Sequence, residues 1–182
     1  FTYGGDGGEA AAMREAQTMA MAVTNTGMAV TMDVGDPGNI HPVNKQAVGR
    51  RLALWAFAKT YRNQLKSKPV QELVYSGPLL DQVVARGNIL RLSFKHSNGL
   101  GTRDGRTPSH FQIAGADRKF HPAKARIVIG EDGQAWVWLM SDAVPDPVAA
   151  RYAWGAADEP NLQNSAGLPA PSFRTDDWPA HP

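Results

Sequence analysis

Residues 9–21 read EAAAMREAQTMAM, a run of strong helix formers. Met13, Ala16, Gln17 and Ala20 recur at helical spacing, so the pattern predicts an amphipathic helix buried along that mostly apolar stripe. TNTG at 24–27 is a turn, and MAVTMDV at 28–34 has the small and branched residues of a short strand. A polar segment, DVGDPGNIHPVNKQ at 33–46, leads into a second helix expected from Lys45 to about residue 65, with Asn44 as its N-cap. Val48, Leu52, Trp55 and Ala56 share one face of that helix, and Leu54, Phe57, Ala58 and Tyr61 widen it. Such a helix is expected to be covered on more than one side. Helix, strand, polar loop, helix is the order of an α/β unit.

After KSKP at 66–69 the helical period stops. VVARGNILRLSFKH at 83–96 alternates, with Ile89, Arg91, Ser93 and Lys95 on one side and Leu90, Leu92, Phe94 and His96 on the other. SHFQIAG at 109–115, ARIVIG at 125–130, QAWVWLM at 134–140 and VAARYAW at 148–154 repeat the theme, and EDGQ at 131–134 reads as a hairpin turn. Short strands at this spacing predict an antiparallel β-sandwich. The last stretch, 158–182, is rich in Pro and Asn and is expected to be an ordered tail pinned by Leu162, Leu168, Phe173 and Trp178. The reading is therefore α/β followed by an antiparallel β-sandwich, with the division at 1–66 and 67–182.

Composition narrows the function classes. Of the 182 residues 42% are hydrophobic and 20% charged, which is globular, and no apolar run approaches the ~20 residues that span a bilayer. The net charge is +2 with the signs interspersed, and the basic residues at 49–68 fall at helical spacing as a solvated face, so neither a membrane nor a nucleic-acid partner is expected. The absence of cysteine excludes disulfide frameworks, thiolate catalysis and Cys-based zinc sites. A chain that opens on Phe1 is expected to be a processed product, a fragment or the ordered remainder of something longer.

Candidate chemistry lies in the polar segment. In α/β proteins the loop leaving a strand's carboxyl end is the usual place for a site. His41 precedes Pro42, which pushes its backbone toward an extended form, and the following helix is capped three residues later. A restricted imidazole with Asp33 and Asp36 close by has the parts of a general base with a carboxylate to hold its tautomer. The same residues are also adequate as turn and capping residues, and spacing alone leaves both readings open.

Motifs along the whole chain carry a resemblance. NTGMAVTMDVGDPGNIHPVNKQAVGRRLALWAFAKTY, LRLSFKH, FQIAGADRKFHPAKA, DPVAARYAW and NLQNSAGLPAPSFRTDDW resemble the C-terminal half of sialate O-acetylesterase-like carbohydrate esterases, of the SGNH-hydrolase superfamily. The resemblance implies part of a flavodoxin-like esterase domain joined to the sandwich, secreted or periplasmic, that removes acetyl groups from sugar hydroxyls through a Ser–His–Asp arrangement. It implies no metal or organic cofactor. The family's histidine falls on His41. Many such enzymes carry the acid three residues before the histidine, and here that residue is Gly38, so the usual pattern fails. Asp36, nearer the histidine, and Asp33, at the strand end, remain the candidates, Asn39 cannot be an anionic partner, and a dyad without a carboxylate stays open. The nucleophilic serine is expected upstream or on a companion chain, because Ser76 and Ser97 read as turn residues. The expected partner is an O-acetylated sugar or glycan. The alternative is a non-catalytic carbohydrate-binding or scaffolding β-sandwich.

The remaining features have plainer expectations. His96, His110 and His121 lack the short spacing of metal ligands and are expected at the surface or sheet edges. Trp136 and Trp138 share one strand face, with core packing expected and a sugar-stacking platform as the alternative. Arg174, Asp176 and Asp177 are expected to form an ion-pair or capping network that fixes the tail.

Overall fold

The computed structural model describes residues 7–64 and 73–179. The expected division near residue 66 lies outside the described residues, as does most of the glycine-rich start at 1–8.

The chain opens with α1 (Gly7–Met19), continued by a short 3-10 turn (Ala20–Ala22), close to the predicted span. Its buried face differs from the expected one. Ala11 and Arg14 are buried, whereas Met13 is 61% exposed and Ala16, Gln17 and Ala20 face solvent. The reason is polar. Arg14 reaches the carbonyls of Ala153 (3.0 Å) and Gly155 (2.8 Å) and the Ser172 hydroxyl (3.3 Å), so hydrogen bonds rather than apolar burial orient the helix.

The predicted strand at 28–34 is not formed among the described residues. Met28–Thr31 runs without a ladder partner and Met32–Val34 is a 3-10 turn. The Val30 carbonyl, which a neighbouring strand would engage, is taken by the Arg51 side chain at 2.6 Å. The second helix, α2 (Lys45–Trp55), passes into a π turn at Ala56–Thr60 and ends earlier than expected. Only part of its apolar surface is covered: Trp55 packs edge-on against Tyr75, with ring centres 4.8 Å apart, while Leu52, Phe57 and Tyr61 stay exposed.

Ten short strands follow: β1 (Leu79–Arg86), β2 (Ile89–Lys95), β3 (Gly101–Thr102), β4 (Phe111–Ala114), β5 (Phe120–Pro122), β6 (Lys124–Ile129), β7 (Ala135–Met140), β8 (Ala149–Tyr152), β9 (Leu162–Gln163) and β10 (Phe173–Arg174). They make antiparallel sheets in the orders β1-β2-β7-β6 and β10-β8-β4-β5, with a small β3-β9 pair. The run at 83–96 is thus a hairpin and not one strand. It turns at Gly87–Asn88, where Gly87 takes a positive φ of 57° that favours glycine. The EDGQ turn forms as expected, with the Gly130 N–H donating to the Gln134 carbonyl at 2.8 Å.

One apolar cluster draws on both four-stranded sheets. Leu90, Leu92, Phe94, Val137 and Leu139 come from the first, and Phe111, Ile113, Ala150 and Tyr152 from the second. Met32 enters the same cluster from the N-terminal region. Burial pushes the Tyr152 phenol well above its ordinary pKa, so it stays neutral and accepts the Leu162 N–H. Trp136 and Trp138 do not join this core. They occupy the opposite face of β7 from the fully buried Val137 and Leu139, because strand side chains alternate. The tail is pinned largely as expected: Arg151 grips the fully buried Asp176 carboxylate with two bonds of 3.0 and 2.8 Å, and Arg174 bonds Glu15 of α1 at 2.7 Å.

Candidate active site

The loop carrying His41 is built from several short-range devices. Gly27 starts the approach under α2, where an added Cβ would lie 2.7 Å from Trp55 Cγ, so only glycine lets the chain pass this close. Met32 then drops into the core and fixes the chain's depth. Beside it, Asp33 meets Arg51 of α2 in a two-pronged ion pair, Nη1–Oδ1 2.7 Å and Nη2–Oδ2 2.6 Å, with both side chains largely buried. This fork is the strong geometry for a guanidinium and a carboxylate. The Asp33 carbonyl also accepts from Arg103 at 3.3 Å, which ties the loop to the strand-rich region.

Past Gly35 the chain folds back on itself. Asp36 Oδ1 accepts the Gly38 N–H (2.9 Å), and the Asp36 carbonyl accepts the Asn39 N–H (3.1 Å). Pro37 sits where its fixed φ suits such a turn. Asn39 Oδ1 then accepts the His41 N–H at 2.8 Å, and Asn44 Oδ1 caps α2 through the Ala47 N–H at 3.1 Å. Replacing Asn44 with alanine is expected to cost about 1 kcal/mol of stability, read as a lower urea midpoint with an unchanged slope.

The three sequence-derived site residues thus occupy one loop in different states. Asp33 has both oxygens engaged by Arg51. Asp36 has one oxygen engaged by the backbone of its own turn. His41 is exposed, and its imidazole makes no hydrogen bond or ion pair among the described residues, to either aspartate or to any serine. Its neighbours Ile40 and Val43 are exposed as well, Val43 at 93%. The chemistry available to the loop is that of an accessible imidazole and, on the same loop, a carboxylate with spare lone pairs.

Arg51 was legible in principle. It falls between Val48 and Trp55 on the apolar stripe of α2, and a cation in that place needs a partner. A second Ser–His–Asp grouping has no comparable spacing signal. Ser109 Oγ lies 2.8 Å from His110 Nδ1, and His110 Nε2 lies 3.9 Å from Asp158. Its parts are shared with structural bonds: Ser109 also contacts Asn161 Oδ1 (3.1 Å), and Asp158 holds the Gly155 N–H at 2.7 Å. No group of three or more His, Asp and Glu side chains converges as a metal site among the described residues.

An open groove of about 550 Å³ lies between the two helical segments, lined by Val23, Gly27, Leu52, Trp55 and Lys59 among others. It continues the exposed apolar surface of α2.

No protein-family model matches the chain. It is 32% identical over 174 residues to a sialate O-acetylesterase of Pongo abelii, a match covering 86% of this chain and 31% of that protein. The sialate O-acetylesterase of Homo sapiens is 30% identical over the same length and coverage. Among solved structures, a carbohydrate acetylesterase from Xanthomonas citri matches with a TM-score of 0.80 at 42% identity, over 92% of this chain and 36% of that one. The chain spans about a third of the length of the relatives it matches.

Proposed function

This chain is sialate O-acetylesterase-like in sequence and in fold, and from that premise we propose that it supplies the histidine of a carbohydrate O-acetylesterase. In this reading His41 is the general base of a serine-type mechanism. It takes the proton of a serine hydroxyl as that oxygen attacks the acetyl carbonyl, then returns the proton to the departing sugar oxygen. A water activated by the same imidazole releases acetate from the acetyl-enzyme. Asp36 is the preferred acid, because Arg51 already occupies both oxygens of Asp33. The serine comes from protein outside these 182 residues, upstream or on a companion chain. That part packs on the exposed apolar face of α2 and on the unpaired segment 28–31, completing a flavodoxin-like SGNH domain beside a two-sheet sandwich. Action outside the cytoplasm belongs to the same proposal.

One observation carries the reading. The loop is cross-bonded through Asp36, Gly38, Asn39, the His41 N–H and Asn44, yet the His41 imidazole is exposed and makes no hydrogen bond among the described residues. An exposed imidazole on a loop held in this way is accessible to a hydroxyl brought by another segment. The rival, a non-catalytic carbohydrate-binding or scaffolding sandwich, draws support from the same exposure, since among the described residues no serine hydroxyl bonds to His41.

Acetyl-ester hydrolysis separates the two. The 182-residue chain alone is expected to give no turnover above buffer, and the longer esterase containing it is expected to be active on acetylated sugars. Turnover by the isolated chain that His41→Ala abolishes would place the nucleophile within it and overturn the division of labour. An inactive longer protein that still binds glycan would favour the rival.

A further inference from the structure

The face of the β1-β2-β7-β6 sheet that points away from the core is cationic and aromatic. Its register aligns Val84, Arg91, Trp138 and Arg126 in one row across all four strands. The Arg91 guanidinium carbon lies 4.4 Å from the Trp138 ring centre and that of Arg126 lies 4.8 Å from it. Trp136 stands two residues along the same strand face, and Arg86 closes β1 on this side. Among the described residues, Arg86, Arg91 and Arg126 form no ion pair. The acidic residue within these strands, Asp81, is paired with Lys95 at the other end of β1.

Three guanidiniums on one sheet face, none of them in an ion pair among the described residues, favour a partner that brings negative charge. Stacking on the indole holds two of them in place. Arg91 Nε is buried, so on that residue the Nη groups are the donors a ligand could meet. Such donors match a carboxylate, which accepts two parallel N–H bonds. Arg91 and Arg126 sit on strands two spacings apart, roughly 9–10 Å. A ligand that repeats carboxylates along a chain can offer one to each guanidinium.

We propose that this sheet face is a binding surface for carboxylate-bearing sugars, held by Arg91 and Arg126 braced on Trp138. The choice of a glycan over other polyanions rests on the carbohydrate reading above; the demand for negative charge rests on the sheet itself. The surface recognises the acidic sugar as a handle, independently of any acetyl group.

Affinity electrophoresis of the full chain tests it. Polygalacturonate in the gel is expected to retard the chain, and a neutral β-glucan is expected not to. The double variant R91Q/R126Q is expected to weaken binding at least tenfold. R91K/R126K keeps the charge but loses the fork, and is expected to lose most of the preference for the carboxylated polymer. Thermal melts of each variant show whether it is folded, and the lysine pair serves if the glutamine pair is not. His41→Ala is expected to bind like the parent, so failure of the esterase reading and failure of this one are distinguishable. The proposal is overturned by no retardation in polygalacturonate, by equal retardation of the folded double variant, or by equal or tighter binding to dextran sulfate or duplex DNA, which would mark a generic polyanion surface.

Discussion

Replacing Arg51 with alanine is expected to lower the chain's stability by about 3–5 kcal/mol, the usual cost of leaving one half of a buried pair uncompensated. Three acceptors lose their donor together: both oxygens of Asp33 and the carbonyl of Val30. The Arg51 and Asp33 side chains are only 9% and 14% exposed, so water replaces little of what is lost. Against a domain's usual stability of about 5–15 kcal/mol, the change is large. Urea unfolding should show the midpoint falling with its slope retained. Arg51→Lys should recover only part of the loss, since an ammonium cannot serve Val30 and both carboxylate oxygens with the geometry of a guanidinium. A loss below about 1 kcal/mol for Arg51→Ala would mean that Met32 and the turn bonds hold the loop without the ion pair.

Replacing His41 with alanine in the complete esterase is expected to reduce kcat about 10⁴-fold, at the upper end of what a positioned general base contributes. The effect should fall on kcat, with KM and the melting temperature nearly unchanged, because among the described residues the His41 side chain makes no hydrogen bond or ion pair. The two aspartates then separate by the kind of damage. Asp36→Asn retains an acceptor for the Gly38 N–H and should leave stability intact while lowering kcat by about 10²–10⁴. Asp33→Asn strips the charge from the Arg51 pair and should act first on stability. Catalytic loss from Asp33→Asn at full stability, with Asp36→Asn silent, would reverse the roles proposed for them.

Where sequence reading succeeded, the signal was local. The Asn44 cap, the EDGQ hairpin, the inward set Leu90, Leu92 and Phe94, and the strands β4, β6, β7 and β8 follow from residues within a few positions of one another. Where it failed, the deciding partner was remote. The alternation at 83–96 runs through the Gly87–Asn88 turn without a break, so only pairing reveals two strands. The stripe on α1 was read from hydrophobicity, but Arg14 sets the helix by reaching carbonyls of Ala153 and Gly155. Trp136 and Trp138 satisfy a strand period on either face, and the smaller Val137 and Leu139 took the core. In the candidate site, the turn chemistry around Asp36, Pro37 and Asn39 was visible in residue types. The capture of Asp33 by Arg51, 18 residues away, was not.

The bonds that seat α1 have a consequence for how the chain is made. Arg14 reaches partners 139, 141 and 158 residues further on, and Glu15 meets Arg174 across 159. Within these residues, α1 is made well before the segments that seat it. The helix therefore emerges from the ribosome with no place to dock until β8 and the tail have followed it, and such long-range closure is slow. Removing the stretch that carries Ser172 and Arg174 should consequently release α1, and a protease probe of α1 would register whether that stretch is docked.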